Sequence, residues 1–353
     1  MSSLTRRDLG GRLSAAMAVA SVWPSVGRAA VVGGAPYVDP ELRAALDAIR
    51  RPPGPPLSGA SLPDFRRMGS TWAQKPLDHP AVVERMLPPV RGDAPVRVYV
   101  IGAQGGAVRR PAILHIHGGG FVAGTALGNV ADLQRLSSRL DCLIVSVEYR
   151  LAPETPFPGA LEDNYAALMW LHQNADALGV DPSRIAVMGE SAGGGHAAML
   201  AIAARDRSEA PICFQVLLCP MLDDRTGSVA GTTPGDSVYT WTSDQNRFGW
   251  SALLGVAPGS PTVPAGSVPA RVKDLRGLPP AFIGVGTADL FADEDIGFAK
   301  GLMDAGTPVQ FVLAPGGYHG FDSIAPTARL SKWFTRSWTD ALARAFGEAG
   351  EPG

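Results

Sequence analysis

Cysteine, charge and long apolar runs are all scarce in this chain of 353 residues, and each scarcity excludes something. Three cysteines are too few, and odd in number, for a disulfide framework. Cys213 and Cys219 share one strand-like run, Ile212–Cys219, too far apart along an extended backbone to bridge each other. All three thiols, Cys142 included, lie in or beside apolar runs and read as buried. Charged residues make up 18% of the chain and the net charge is −2, so there is no electrostatic footprint for nucleic acid. No apolar stretch is long enough to cross a bilayer, which argues against stable membrane insertion. His115 and His117 fall on one strand face, but no Asp, Glu or Cys set stands near them at ligand spacing, so zinc is not read there. Nothing in the sequence calls for a cofactor or a metal.

Hydrophobic residues, by contrast, make up 46% of the chain, enough for a large core without metals or disulfides. The 42 glycines and 31 prolines concentrate between the apolar runs, where turns are needed. Eight strand-like runs are read at Val82–Leu87, Val96–Ile101, Ala112–Ile116, Leu143–Glu148, Ile185–Met188, Ile212–Leu218, Ala281–Val285 and Val309–Leu313. Helical patterns separate most of the later ones, notably Leu161–Ala177 and Ser191–Ala204. Strands alternating with helices predict an α/β fold with a largely parallel sheet. Asp39 and Pro40 predict the N-cap and first turn of a helix over Glu41–Ile49, which the Pro-rich stretch from Arg51 to Pro56 ends. Residues 31–81 and 222–276 do not fit the alternation, and the second carries Tyr239, Trp241, Phe248 and Trp250. These aromatics read equally as a substrate-facing patch or as that segment's own core.

The first thirty residues form a separate leader. Thr5-Arg6-Arg7-Asp8-Leu9 is a twin-arginine pattern, Leu13–Val22 is weakly apolar, and small residues follow at Gly27, Ala29 and Ala30. Residues 1–30 are therefore expected to be a twin-arginine export signal, an address rather than an anchor, sending the protein to the periplasm or beyond. A cytoplasmic protein with a basic leader is the alternative.

The chemistry concentrates in three places. Gly189-Glu190-Ser191-Ala192-Gly193 follows an apolar strand and opens a helix, the arrangement in which a serine sits exposed on a sharp turn. Upstream, His117-Gly118-Gly119-Gly120-Phe121 follows the strand Ala112–Ile116, and unshielded backbone N–H groups there could hold a negative oxygen. His117 reads as a brace for that loop. Downstream, Asp289 follows the strand Ala281–Val285, and His319 stands in Gly316-Gly317-Tyr318-His319-Gly320 after Val309–Leu313. Both loops fall at the carboxyl edge of a parallel sheet. A serine is a weak nucleophile without a neutral imidazole to take its proton, and a carboxylate fixes that imidazole's tautomer. Ser191, His319 and Asp289 are the candidates for these roles. The acids Asp293, Glu294 and Asp295 read as the first turn of the next helix, as Glu162 and Asp163 do for an earlier one. His196 reads as a packed or capping residue, and His79 and His172 as surface positions.

These segments resemble the hormone-sensitive lipase family of α/β-hydrolases, in its bacterial esterase branch. The resemblance rests on His117 to Phe121, Glu148 to Glu154 with Phe157-Pro158, Gly189 to Gly194, Asp289, and His319 to Phe321, and it covers Val96 to Leu330. Leu290 stands where members usually carry a proline after the aspartate. The resemblance implies an α/β-hydrolase core of eight mostly parallel strands over residues 82–221 and 277–347. It implies a helical cap formed by the N-terminal segment 31–81 and the insertion 222–276. It implies an oxyanion hole from the backbone of Gly119, Gly120 and Ala192, supported by His117, Gly118 and Glu190. The expected activity is hydrolysis of small carboxylic esters with short to medium acyl chains through an acyl-enzyme. Amide, carbamate or lactone hydrolysis, acyl transfer, and a non-hydrolysing ligand-binding module use the same residues and stay open at this point. Members often pair through the last strand and helix, so a homodimer is also implied.

Overall fold

A computed structural model of the protein describes residues 36–49, 56–70, 73–88, 94–103, 109–228 and 239–347. The leader 1–30 and most of the Pro-rich stretch after Ile49 lie outside the described residues. Eight strands form one sheet: β1 (Val82–Leu87), β2 (Val96–Ile101), β3 (Arg110–Ile116), β4 (Leu143–Glu148), β5 (Val180–Glu190), β6 (Phe214–Leu218), β7 (Ala281–Gly286) and β8 (Val309–Ala314). Their order across the sheet is β1-β2-β4-β3-β5-β6-β7-β8. β2 runs antiparallel to both β1 and β4. From β4 through β3, β5, β6 and β7 to β8, every pairing is parallel.

β3, β6 and β7 are buried along their whole length, which is why they read as continuous apolar runs rather than alternating ones. Helices cover both faces. On one side lie α4 (Gly159–Gln173) and α6 (Ala192–Arg207), whose Leu161, Leu168, Met199 and Leu200 pack with Leu114, Val145 and Val187. On the other lie α1 (Pro40–Ile49), α3 (Val130–Arg139) and α10 (Arg329–Ala345), whose Leu42, Leu133 and Phe334 pack with Ile113, Ile144 and Phe282. The remaining helices are α2 (Leu62–Ser70), α5 (Ala175–Leu178), α7 (Ser243–Leu254), α8 (Ala292–Asp304) and α9 (Phe321–Ile324).

All eight expected strands form, with shifted ends: β3 starts at Arg110, β6 starts at Phe214 rather than Ile212, and β5 is the most extended. β5 reaches back to Val180 through a register shift between its pairings with Arg110 and Ala112. Asp39 caps α1 as expected, its Oδ1 accepting from the Glu41 N–H at 2.8 Å. The helix expected over Leu161–Ala177 is divided: α4 stops at Gln173, where the Asn174 side chain donates to the Trp170 carbonyl at 2.9 Å, alongside its own backbone N–H at 3.0 Å. Cys142 is buried, but Cys213 and Cys219 are only partly so, because they flank β6 rather than lying inside it. His79 is exposed, whereas His172 is half-buried with its Nε2 3.0 Å from the Pro211 carbonyl.

Asp163 corrects a simpler reading. It lies in the first turns of α4, yet it is 2% exposed and holds Arg150 through Nε at 2.9 Å, Nη2 at 2.7 Å and the Arg150 backbone N–H at 2.9 Å. This forked contact ties the chain leaving β4 to the helix that covers it. Removing the guanidinium leaves a buried carboxylate without its partner. Arg150→Ala is expected to lower the unfolding free energy by about 3 kcal/mol, measured by urea denaturation. A change within experimental error would show that Asp163 is satisfied without it.

Candidate active site

β5 ends and α6 begins around Ser191, whose φ of 55° and ψ of −122° lie outside the regions that side-chain-bearing residues favour. Three backbone bonds hold it there. Its N–H donates to the Leu218 carbonyl at 2.8 Å, and its carbonyl accepts from Gly195 and Met221, both at 3.0 Å. The flanking glycines are compulsory: a Cβ on Gly189 would lie 2.3 Å from the Gly193 backbone, and one on Gly193 would lie 2.0 Å from the Ile116 carbonyl oxygen.

The other two predicted residues converge on this serine. His319 Nε2 lies 2.9 Å from Ser191 Oγ, and His319 Nδ1 lies 2.9 Å from Asp289 Oδ2. With Nδ1–H donating to the carboxylate, Nε2 is left to accept from the serine hydroxyl. Asp289 is itself fixed by the Phe291 N–H, which donates to its Oδ1 at 3.0 Å. The Phe291 ring meets the imidazole edge to face, with centroids 5.1 Å apart. The Thr240 hydroxyl donates to the His319 carbonyl at 2.6 Å, so the segment before α7 steadies the histidine loop. Asp293, Glu294 and Asp295 do occupy the first turn of α8, and the acid on His319 is Asp289. Glu294 has a separate use, accepting the Leu222 N–H at 2.7 Å where the chain leaves the core.

The glycine triplet packs against the serine turn. A Cβ on Gly118 would lie 2.9 Å from the Glu190 carbonyl oxygen and 3.4 Å from Ser191 Cβ. Gly119 and Gly120 have φ of 128° and 61°, and a Cβ on either would collide at 2.1 Å, with the Ala123 carbonyl oxygen and the Trp241 indole respectively. Among the described residues, no acceptor takes the N–H groups of Gly119, Gly120 or Ala192. His117 braces the loop as expected: Nδ1 meets the Gly118 carbonyl at 2.8 Å and the ring stacks on Tyr149 at 4.2 Å. Burial, with His115 nearby, lowers its pKa to about 4, so the brace is a neutral imidazole. Trp241 and Gly249 clamp the loop from above, since a Cβ on Gly249 would lie 2.4 Å from the Gly120 carbonyl. Trp241 and Trp250 are buried, so these two aromatics form the local core.

One connection had no signal in the sequence beyond the residues themselves. His115, fully buried in β3, places Nε2 3.1 Å from Glu190 Oε1 and Nδ1 2.9 Å from Ser146 Oγ. Ser146 in turn donates to the Ala126 carbonyl at 2.9 Å. Because Ser146 spends its proton on Ala126, His115 Nδ1–H donates to Ser146, and Nε2 faces the Glu190 carboxyl. Burial works against the Glu190 charge, yet His115 outweighs it and holds the carboxyl below its ordinary value. His115 and His117, neighbours in sequence reading, thus serve different partners.

A sequence profile described as the alpha/beta hydrolase fold matches residues 113–323, which include the glycine loop, Ser191, Asp289 and His319. The chain belongs to the α/β-hydrolase family. Its hormone-sensitive lipase motifs all lie where that family's fold brings loops together, at the carboxyl ends of the strands. Among curated relatives, esterase LipI of Mycobacterium tuberculosis is 33% identical over 300 residues, covering 83% of this chain and 91% of its own length. An ethyl acetate hydrolase of Pseudomonas putida is 32% identical over 236 residues, 64% of this chain and 71% of its own. Among solved structures, a bacterial heroin esterase superposes with a TM-score of 0.78 at 37% identity, covering 88% of this chain and 98% of that one.

In this α/β-hydrolase, one further group stands beside the described triplet. Cys219 Sγ, an Asp289 carboxylate oxygen and a His319 ring nitrogen all lie within 4.8 Å of one another, the one such set of metal-ligand types found among the described residues. His196 has another part. It is packed edge-on against Phe121 and Tyr149, and neither ring nitrogen has a partner among the described residues. Burial and the neighbouring His117 lower its pKa to about 3. The unfolded imidazole titrates near pH 6.5, so the stability this residue confers is complete above that pH and is lost as pH falls toward 3. Between about pH 7.5 and 5, the native protein should therefore lose about 2 kcal/mol relative to His196→Phe, read from urea midpoints. Parallel pH profiles for the two proteins would refute this.

Proposed function

We propose that this α/β-hydrolase cleaves carboxylic esters of short to medium acyl chain by way of a Ser191 acyl-enzyme. The observation that carries the reading is the unbroken chain from Ser191 Oγ to His319 to Asp289, with 2.9 Å at each step. Ser191 attacks the ester carbonyl while His319 Nε2 takes its proton. Asp289 keeps the proton of Nδ1 in place and stabilises the imidazolium that forms. The unclaimed N–H groups of Gly119, Gly120 and Ala192 receive the oxyanion, because they need no reorganisation and have no competing acceptor among the described residues. The imidazolium then protonates the leaving alcohol, and the freed imidazole activates water against the acyl-enzyme. Small esters are supported by a relative named for ethyl acetate. Segments 31–81 and 222–276 act in this reading as a cap. Trp241, Gly249 and Thr240 support it from the second segment, and Arg66 of α2 from the first, donating to the Val122 carbonyl at 2.6 Å beside the glycine loop.

Ser191→Ala is expected to abolish hydrolysis of p-nitrophenyl acetate, a loss on the order of 10⁴–10⁶-fold, with an unchanged circular dichroism spectrum. Full activity in that variant would overturn the assignment. A series from acetate to palmitate esters should peak at the short end; no activity at any length in folded protein would move the reading to amide or lactone substrates. Thr240→Val removes one neutral hydrogen bond behind the imidazole and should lower kcat by about fivefold with KM little changed. An unchanged kcat would show that the cap segment does not position His319.

A further inference from the structure

The hydrolytic sequence above has no use for Cys219, although its sulfur is beside the two residues that support Ser191. Cys219 follows β6 with a φ of 38°, and its N–H donates to the Gly284 carbonyl at 2.7 Å, so the residue is held by backbone on a rigid strand end. Sγ, an Asp289 oxygen and a His319 nitrogen lie within 4.8 Å of one another. Asp289 and His319 already meet through Oδ2 and Nδ1, at 2.9 Å. Thiolate, imidazole and carboxylate together form a zinc-type ligand set, and ligand atoms at about 2.0–2.3 Å from one ion stand about 3–4 Å apart. The triangle therefore needs only a small adjustment to close on a cation. Burial and the Asp289 charge raise the Cys219 thiol, so the free protein holds its proton and a cation must displace it.

We propose that Cys219, Asp289 and His319 form a site for a thiophilic divalent cation, Zn²⁺, which switches the enzyme off by occupying the Nδ1 side of His319. Binding releases the thiol proton to solvent and moves the ring proton from Nδ1 to Nε2. Nε2–H then faces Ser191 as a donor, and the serine hydroxyl has no base. Inhibition rests on the roles given to Ser191 and His319 above; cation binding does not.

The test uses full-length protein stripped with a chelator and exchanged into chelator-free buffer. Cadmium chloride is titrated while the ultraviolet thiolate-to-cadmium charge-transfer band is followed, and zinc chloride while p-nitrophenyl acetate hydrolysis is followed. Wild type and Ser191→Ala should both give a stoichiometric cadmium band, which Cys219→Ala should lack. Zinc should inhibit the wild type reversibly, with activity restored by chelator. Cys219→Ala should keep its zinc-free activity and require about tenfold or more zinc for the same inhibition. No band in the wild type, or an equal band in Cys219→Ala, overturns the site; equal zinc sensitivity overturns the mechanism of inhibition. Should Cys219→Ala fold poorly, Cys219→Ser serves, since a hydroxyl gives no such band. A protein that binds cadmium through Cys219 yet hydrolyses no ester supports the site while overturning the esterase reading.

Discussion

The approach of three backbones at the centre of the sheet sets the terms for everything around it. The carbonyl of Ile116 at the end of β3, the turn after β5, and the first residues of α6 come so close that no Cβ fits on Gly189 or Gly193. That contact forces Ser191 into a left-handed conformation and presents its hydroxyl above the strand ends. It also sets the glycine loop after β3 directly against the serine, since Gly118 abuts Glu190 and Ser191. One steric constraint therefore positions both the attacking oxygen and the N–H groups proposed to receive the oxyanion. Strain of this kind persists only where surrounding bonds over-determine it, and the Leu218, Gly195 and Met221 bonds to Ser191 do so.

Charge is distributed around this centre by burial and pairing. Glu190, next to the serine, keeps its charge because His115 meets it within the sheet. Among the described residues no ion pair forms to Glu294 or Asp295, and burial raises both well above the ordinary carboxylate range. His117 and His196 are driven the other way, to neutrality, by the same desolvation. Beside Ser191, a carboxylate, a thiol and an imidazole thus stand in close quarters. Asp289 and His319 suit the general-base chemistry proposed for Ser191, and Cys219 beside them suits the proposed soft cation.

The segment from Tyr239 to Leu254 links these features. Trp241 and Gly249 press on Gly120, Thr240 holds the His319 carbonyl, and a capping box of Thr242 and Gln245 starts α7 between them. Elements on opposite sides of the serine are thus tied to one short stretch of chain. Displacement of that stretch would loosen the glycine loop and the histidine together.

By itself, the sequence determined the eight strands, the serine turn and the chain order of Ser191, Asp289 and His319. Those features are written in local signals: continuous apolar runs for strands buried on both faces, and glycines where a backbone must approach another. Asp289 was distinguishable from Asp293, Glu294 and Asp295 only by its place at a strand end. The burial of Asp163 and Glu294 depended on contacts with Arg150 and Leu222, distant in sequence, and carried no periodicity, while the division of α4 turned on a local bond from Asn174 to Trp170. The tertiary structure alone decided that His115 pairs with Glu190 and that Trp241 covers Gly120. It alone brought Cys219 beside Asp289 and His319, because β6 and β7 lie next to each other in the sheet while 62 positions separate Cys219 from Ala281. Side-chain identity fixes what a residue can do; which residues meet is set by strand order, and strand order is a property of the packed sheet.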